Sequence, residues 1–115
     1  MRSTVFLFIF LLQASIAWGL TPEQWFQEGN KFSAEGQFKE AVKAYKKSIN
    51  GNALSPVAHY NLGIAYKNLG QFNDAITSLE KSVKLEPVNM EARVTLGNVY
   101  NIEKRWSDAI GQLNI

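Results

Sequence analysis

Few side chains in this sequence could do chemistry, and their spacing limits what they could do. His59 is the only histidine. The chain has no cysteine, which removes disulfides, thiolate metal sites and a thiol nucleophile. Its ten acidic residues are scattered, without the pairing that general acid–base work requires. Gly29, Gly36, Gly63 and Gly70 recur at long, regular intervals, whereas the glycines of a phosphate loop cluster ahead of one helix. Lys39, Lys43, Lys46 and Lys47 fall on the solvated face of one helix rather than in a polyanion site. With a net charge of +2, interspersed signs and aromatics at core spacing, nothing points to nucleic acid. The residues therefore describe a non-catalytic chain with no cofactor and no metal. There is no N-x-S/T sequon either.

The first nineteen residues are of a different material. Arg2 precedes an unbroken apolar run, Val5 to Leu12, followed by the small-residue triplets Ser15-Ile16-Ala17 and Ala17-Trp18-Gly19. That layout reads as a secretory signal peptide over residues 1–19, cleaved after Ala17 or Gly19. The run is too short to span a bilayer, which takes about 20 residues. The wider stretch from Thr4 to Leu20 is mostly apolar and would permit an uncleaved anchor. The expected address is the secretory pathway, periplasmic or extracellular. No other membrane association is expected.

Beyond the leader, the chain repeats itself every 34 residues, with units at 22–55 and 56–89 and an incomplete unit at 90–115. In register, Trp25, His59 and Arg93 share one slot; Gly29, Gly63 and Gly97 share another; Phe32, Tyr66 and Tyr100 a third. Phe38, Phe72 and Trp106 follow, then Ala41, Ala75 and Ala109, then Tyr45, Leu79 and Leu113. Small slots allow two helices to approach, and large slots fill the space between hairpins. A strict period of this length marks an all-α solenoid of stacked antiparallel helical hairpins, here two full repeats plus a truncated third.

Six helices are expected. Thr21 caps the first, with Pro22 in its first turn and Gln24 completing a capping box. The turn Glu35-Gly36-Gln37 leads to a second helix from about Phe38 to Ile49, stopped at Asn50-Gly51-Asn52 with Gly51 available for a left-handed cap. Ser55-Pro56 opens the third, which runs to about Asn68. Leu69-Gly70-Gln71 turns into the fourth, Phe72 to Leu85, ended by Glu86-Pro87. Asn89 caps a fifth helix from Met90 to about Ile102. A sixth, from Trp106 to about Leu113, would leave Ile110, Leu113 and Ile115 without a following helix to cover them.

The middle unit carries Leu62, Gly63, Tyr66, Gly70, Phe72, Ala75, Leu79, Ser82 and Pro87 in the places that define the tetratricopeptide repeat, and the chain resembles that family over residues 22 to 115. The first unit departs at Glu28 and Ala53, and the third at Lys104, where the family has its turn glycine. The resemblance implies a protein-interaction scaffold that takes a peptide or short helix in a concave groove lined by the first helix of each hairpin. Carried onto this sequence, the groove residues are Phe26 and Asn30; Tyr60, Asn61, Ile64 and Asn68; and Val94 and Asn98. Phe26, Tyr60 and Val94 would form an apolar stripe, with Ile64 as a further anchor and the asparagines as amide contacts. Some family members clamp the C-terminal carboxylate of heat-shock chaperones. Asn30 and Asn61 match that clamp, but Phe26, Glu91 and Thr95 stand where its three cations should be, so an acidic C-terminus is not the expected ligand. The partner is otherwise an unidentified protein or peptide. A structural assembly subunit that self-associates through its exposed last helix is the alternative, as is the N-terminal part of a longer protein or enzyme.

Overall fold

The computed structural model describes residues 19–113, so the leader expected at 1–19 lies, except for Gly19, outside the described residues. Among the described residues, five α-helices follow one another: α1 Pro22–Ala34, α2 Phe38–Gly51, α3 Pro56–Asn68, α4 Phe72–Leu85 and α5 Met90–Leu113. The first four form two antiparallel hairpins, α1–α2 and α3–α4, and α5 packs against α4.

The helices that open a repeat begin with a side-chain cap. Thr21 and Gln24 form the expected box: Gln24 N–H donates to Thr21 Oγ1 at 3.1 Å, and Thr21 N–H to Gln24 Oε1 at 2.9 Å. Ser55 Oγ accepts from Ala58 N–H at 3.2 Å, and Asn89 Oδ1 from Ala92 N–H at 3.2 Å. The second helices have no such cap and start directly from a tight turn. The turn is the same in both hairpins. Gly36 and Gly70 each adopt φ +75°, the region where a Cβ is disfavoured. Gln37 N–H then reaches back to Phe32 O at 2.8 Å, and Gln71 N–H to Tyr66 O at 2.9 Å.

The core runs between the hairpins. Ala41, Val42, Tyr45, Leu62, Ala65, Tyr66, Ala75, Leu79 and Val99 are buried together, with Phe32, Phe72, Ile76 and Leu96 packed against them. Two glycines mark the crossings within the hairpins. A Cβ on Gly29 would lie 2.5 Å from the Tyr45 ring, and one on Gly63 would lie 2.7 Å from Leu79. Gly51 departs from expectation. It is the last residue of α2, without positive φ, and a Cβ there would meet Pro22 at 2.3 Å. It is small because α1 begins beside it, and Asn52 supplies the cap position.

The third repeat also departs from expectation. The turn at Lys104 and a separate helix from Trp106 do not form, and α5 continues unbroken for 24 residues. The reason lies at Lys104, which occupies the slot of Gly36 and Gly70. A left-handed residue costs Lys roughly 1–2 kcal/mol, and Lys is among the better helix formers where Gly is among the worst. Going straight is therefore the lower-energy course. As a result Gly97, in the slot of Gly29 and Gly63, faces open space, and Tyr100 is left exposed. At about 1.5 Å per residue, α5 is some 36 Å long against about 21 Å for α4. Ala92 and Val99 are fully buried, while Trp106, seven residues further on the same face, is 60% exposed.

Candidate functional site

The first helices of the repeats meet through their polar side chains, and this is where the expected groove residues lie. Asn30 on α1 and Asn61 on α3 are joined directly: Asn61 Nδ2 donates to Asn30 Oδ1 at 3.0 Å. The same oxygen accepts the Tyr45 hydroxyl at 2.7 Å. Its acceptor capacity is thus filled from within the protein, leaving the Asn30 amide group as donor and the Asn61 carbonyl as acceptor. Ile64 and Ser33 complete the walls of a concavity of about 290 Å³ above this pair. Burial pushes the Tyr45 phenol above its ordinary pKa, so it stays a hydrogen-bond donor over a wide pH range.

Further along, α3 and α5 are tied by Tyr60. Its hydroxyl donates to Glu91 Oε1 at 3.2 Å and lies 3.3 Å from Thr95 Oγ1. Phe26 is half-buried, with its ring centroid 5.9 Å from that of Tyr45 at a tilt of 49°. It borders a separate hollow of about 410 Å³ with Pro22, Glu23, Ser55 and Val57. Asn68, Val94 and Asn98 are exposed, Val94 by 57%. The structure therefore brings Asn30, Asn61 and Ile64 into one concavity. It sets Phe26 against the core, ties Tyr60 to α5, and leaves Asn68, Val94 and Asn98 on open surface.

Tyr45 was not legible as a groove residue, because its slot is the core slot of Leu79. The signal was the lone phenol there: a buried Tyr needs a partner for its hydroxyl. His59 and Arg93 share a further role. His59 Nε2–H donates to Ala53 O at 2.9 Å, and Arg93 Nη1 donates to Pro87 O at 3.3 Å. Each reaches six residues back, to the loop that joins its repeat to the one before. The sole histidine is engaged as a loop tether. The first repeat's residue in that slot, Trp25, instead carries the Lys47 ammonium 4.2 Å from its ring centroid.

Paired helices stacked in register, with one capped helix and one turn-started helix per unit, define a helical-hairpin solenoid. A model described as "TPR repeat" matches residues 29–70, and one described as "Tetratricopeptide repeat" matches 56–89. The chain belongs to the tetratricopeptide repeat family. No curated protein matches it. Among solved structures it is similar to a crystal structure of the MamA protein, with 21% identity, a TM-score of 0.74, and coverage of 87% of this chain and 55% of that one. It is also similar to the second repeat domain of Spaghetti (RPAP3), bound to the HSP90 peptide SRMEEVD: 17% identity, TM-score 0.71, coverage 82% and 87%. The first domain of that protein, bound to the same peptide, gives 24%, 0.69, 77% and 72%. The chain thus spans a little over half the length of the MamA chain it matches.

Proposed function

We propose that this chain is an interaction module that holds a peptide in the groove formed by α1, α3 and α5, and that it is delivered out of the cytoplasm by residues 1–19. The observation that carries the groove reading is the Asn30–Asn61 pair, fixed across two repeats beside Ile64. One donor and one acceptor held side by side match the carbonyl and N–H of an extended or helical peptide, and holding them in place lowers the cost of ordering on binding. Tyr60 and Val94 extend the contact surface toward α5, with Phe26 backing its other end and Asn68 and Asn98 at its rim. This reading assigns the chain no catalytic step, in keeping with a family and fold of interaction modules.

The two RPAP3 domains bind an acidic peptide, but the cations for a terminal carboxylate are missing here, and Glu91 adds a negative charge at that edge of the groove. The ligand we propose is therefore neutral or basic with an aliphatic anchor. A peptide array probed with the full chain tests this. Binders should be depleted in Asp and Glu, SRMEEVD should not bind, and Tyr60→Ala or Asn61→Ala should weaken the selected peptides at least tenfold with helical content retained. Equal affinity of the variants and the unaltered chain would remove the groove from consideration. Export has its own test in the intact mass of the expressed protein, which should begin at Trp18 or Leu20.

A second reading, assembly through α5, has one observation in its favour. Trp106 and Ile110 are 60% and 56% exposed on the length of α5 that outruns α4. Sedimentation across a range of concentrations should then show a dimer that Trp106→Asp abolishes. A monomer at every concentration would count against it.

A further inference from the structure

The largest hollow among those described, about 610 Å³, shares no residue with the groove; it lies where α2, α3 and α4 meet. Its lining includes the apolar residues Ile49 and Leu62 and three lysines, Lys46, Lys81 and Lys84. One carboxylate, Glu80, also lines it; it accepts the hydroxyl of Tyr100 from α5 and keeps its negative charge. Among the described residues the only salt bridge is Lys43–Glu40, so none of the three lysines has an acidic partner within 4.0 Å. Lys46 has instead the face of Tyr66, 5.8 Å from the ring centroid. His59 forms part of the same wall, with its Nε2–H already given to Ala53.

An apolar lining beside three lysines and a single carboxylate has a complementary ligand in chemical terms. We propose that this hollow is a second binding site, for a small organic anion with an apolar body, of the class of a medium-chain carboxylate. The hydrocarbon part lies on Ile49 and Leu62, and the carboxylate takes charge-assisted hydrogen bonds from Lys81 and Lys84. The volume falls within the range of roughly 300–1,000 Å³ common to small-molecule sites. The site is independent of the groove, so both can be occupied at once.

The test is a titration of the full chain with decanoate below its micelle concentration, followed through backbone amide resonances. Decylammonium and an acidic glutamate peptide serve as comparisons. Decanoate should move the amides of Ile49, His59, Leu62 and Lys81 saturably while leaving those of Asn30 and Asn61 in place. A Lys81→Gln/Lys84→Gln double variant, with both changes on exposed side chains, should bind at least tenfold more weakly, and Lys81→Arg should keep its affinity. The proposal fails if decylammonium produces the same shifts, if decanoate moves only α5 around Trp106, or if no saturable binding occurs. It fails equally if the glutamate peptide moves these amides and decanoate does not, since the face would then dock a protein.

Discussion

At the scale of single residues, the three equivalent glycines have unequal tasks. Gly63 lies against Leu79 and the Ala75 carbonyl, the latter 3.3 Å from where a Cβ would sit. Gly63→Ala should therefore destabilise the fold by about 1–3 kcal/mol, the usual range for an overpacked core. Gly97→Ala meets nothing within 4 Å and lies inside a helix. It should stabilise by up to about 1 kcal/mol through helix propensity alone. Urea unfolding of the two variants checks the contrast, and equal destabilisation by both would mean that α5 is covered like α3. Tyr45 permits a second prediction. Its phenol is raised above 10.0 by burial, so the folded state favours the protonated form. The stability that this contributes is whole below about pH 10 and is lost as pH rises through the folded value. Tyr45→Phe should cost about 1 kcal/mol at neutral pH, from the lost bond to Asn30. It should also lose less stability than the unaltered chain between pH 9 and 11. Parallel alkaline curves would show that the hydroxyl is not held in this way.

Helices and turns were the most readable scale, because their signals are local. The caps at Thr21, Ser55 and Asn89 and the turns at Gly36 and Gly70 stand in the sequence within three or four residues of the groups they serve. What was not readable depends on distance or on competition. The Asn30–Asn61 bond joins residues 31 apart and follows from how two hairpins pack, so no local pattern announces it. The apolar slots Trp106, Ala109 and Leu113 imply a second helix in the third repeat, yet Lys104 decides against the turn. The period aligned the residues of the third unit, and the conformational preference of one residue kept them from the roles their slots imply. Lys104→Gly tests this directly. It removes a left-handed penalty of roughly 1–2 kcal/mol and weakens the straight helix by under about 1 kcal/mol. The combined swing, near 2 kcal/mol, is about thirtyfold in the equilibrium. Hydrogen exchange should then show faster exchange around residue 104 and new protection of Tyr100. An unchanged continuous helix in the variant would shift the cause from Lys104 to the packing of α5.

Across the molecule, stability should be graded rather than uniform, since each unit of a solenoid leans on its neighbours. The α3–α4 hairpin is flanked on both sides, by α2 and by α5, and holds Ala65, Ala75 and Leu79 in full burial. It should be the last region to exchange its amides. The reach of α5 from Lys104 to Ser107 is exposed, and this end of the helix should exchange first. Mass-resolved exchange along the chain would show this order, and uniform protection would indicate an all-or-none unit instead.

The tethers at His59 and Arg93 bear on how such a chain responds to force. Each pins the loop before a helix to that helix, so the angle at which one repeat passes the chain to the next is held at the loop. A load applied across the array would open it by rotation about these joints. The chain would behave as a hinged ruler whose curvature, and with it the width of its concave side, is set at the loops rather than within the helices.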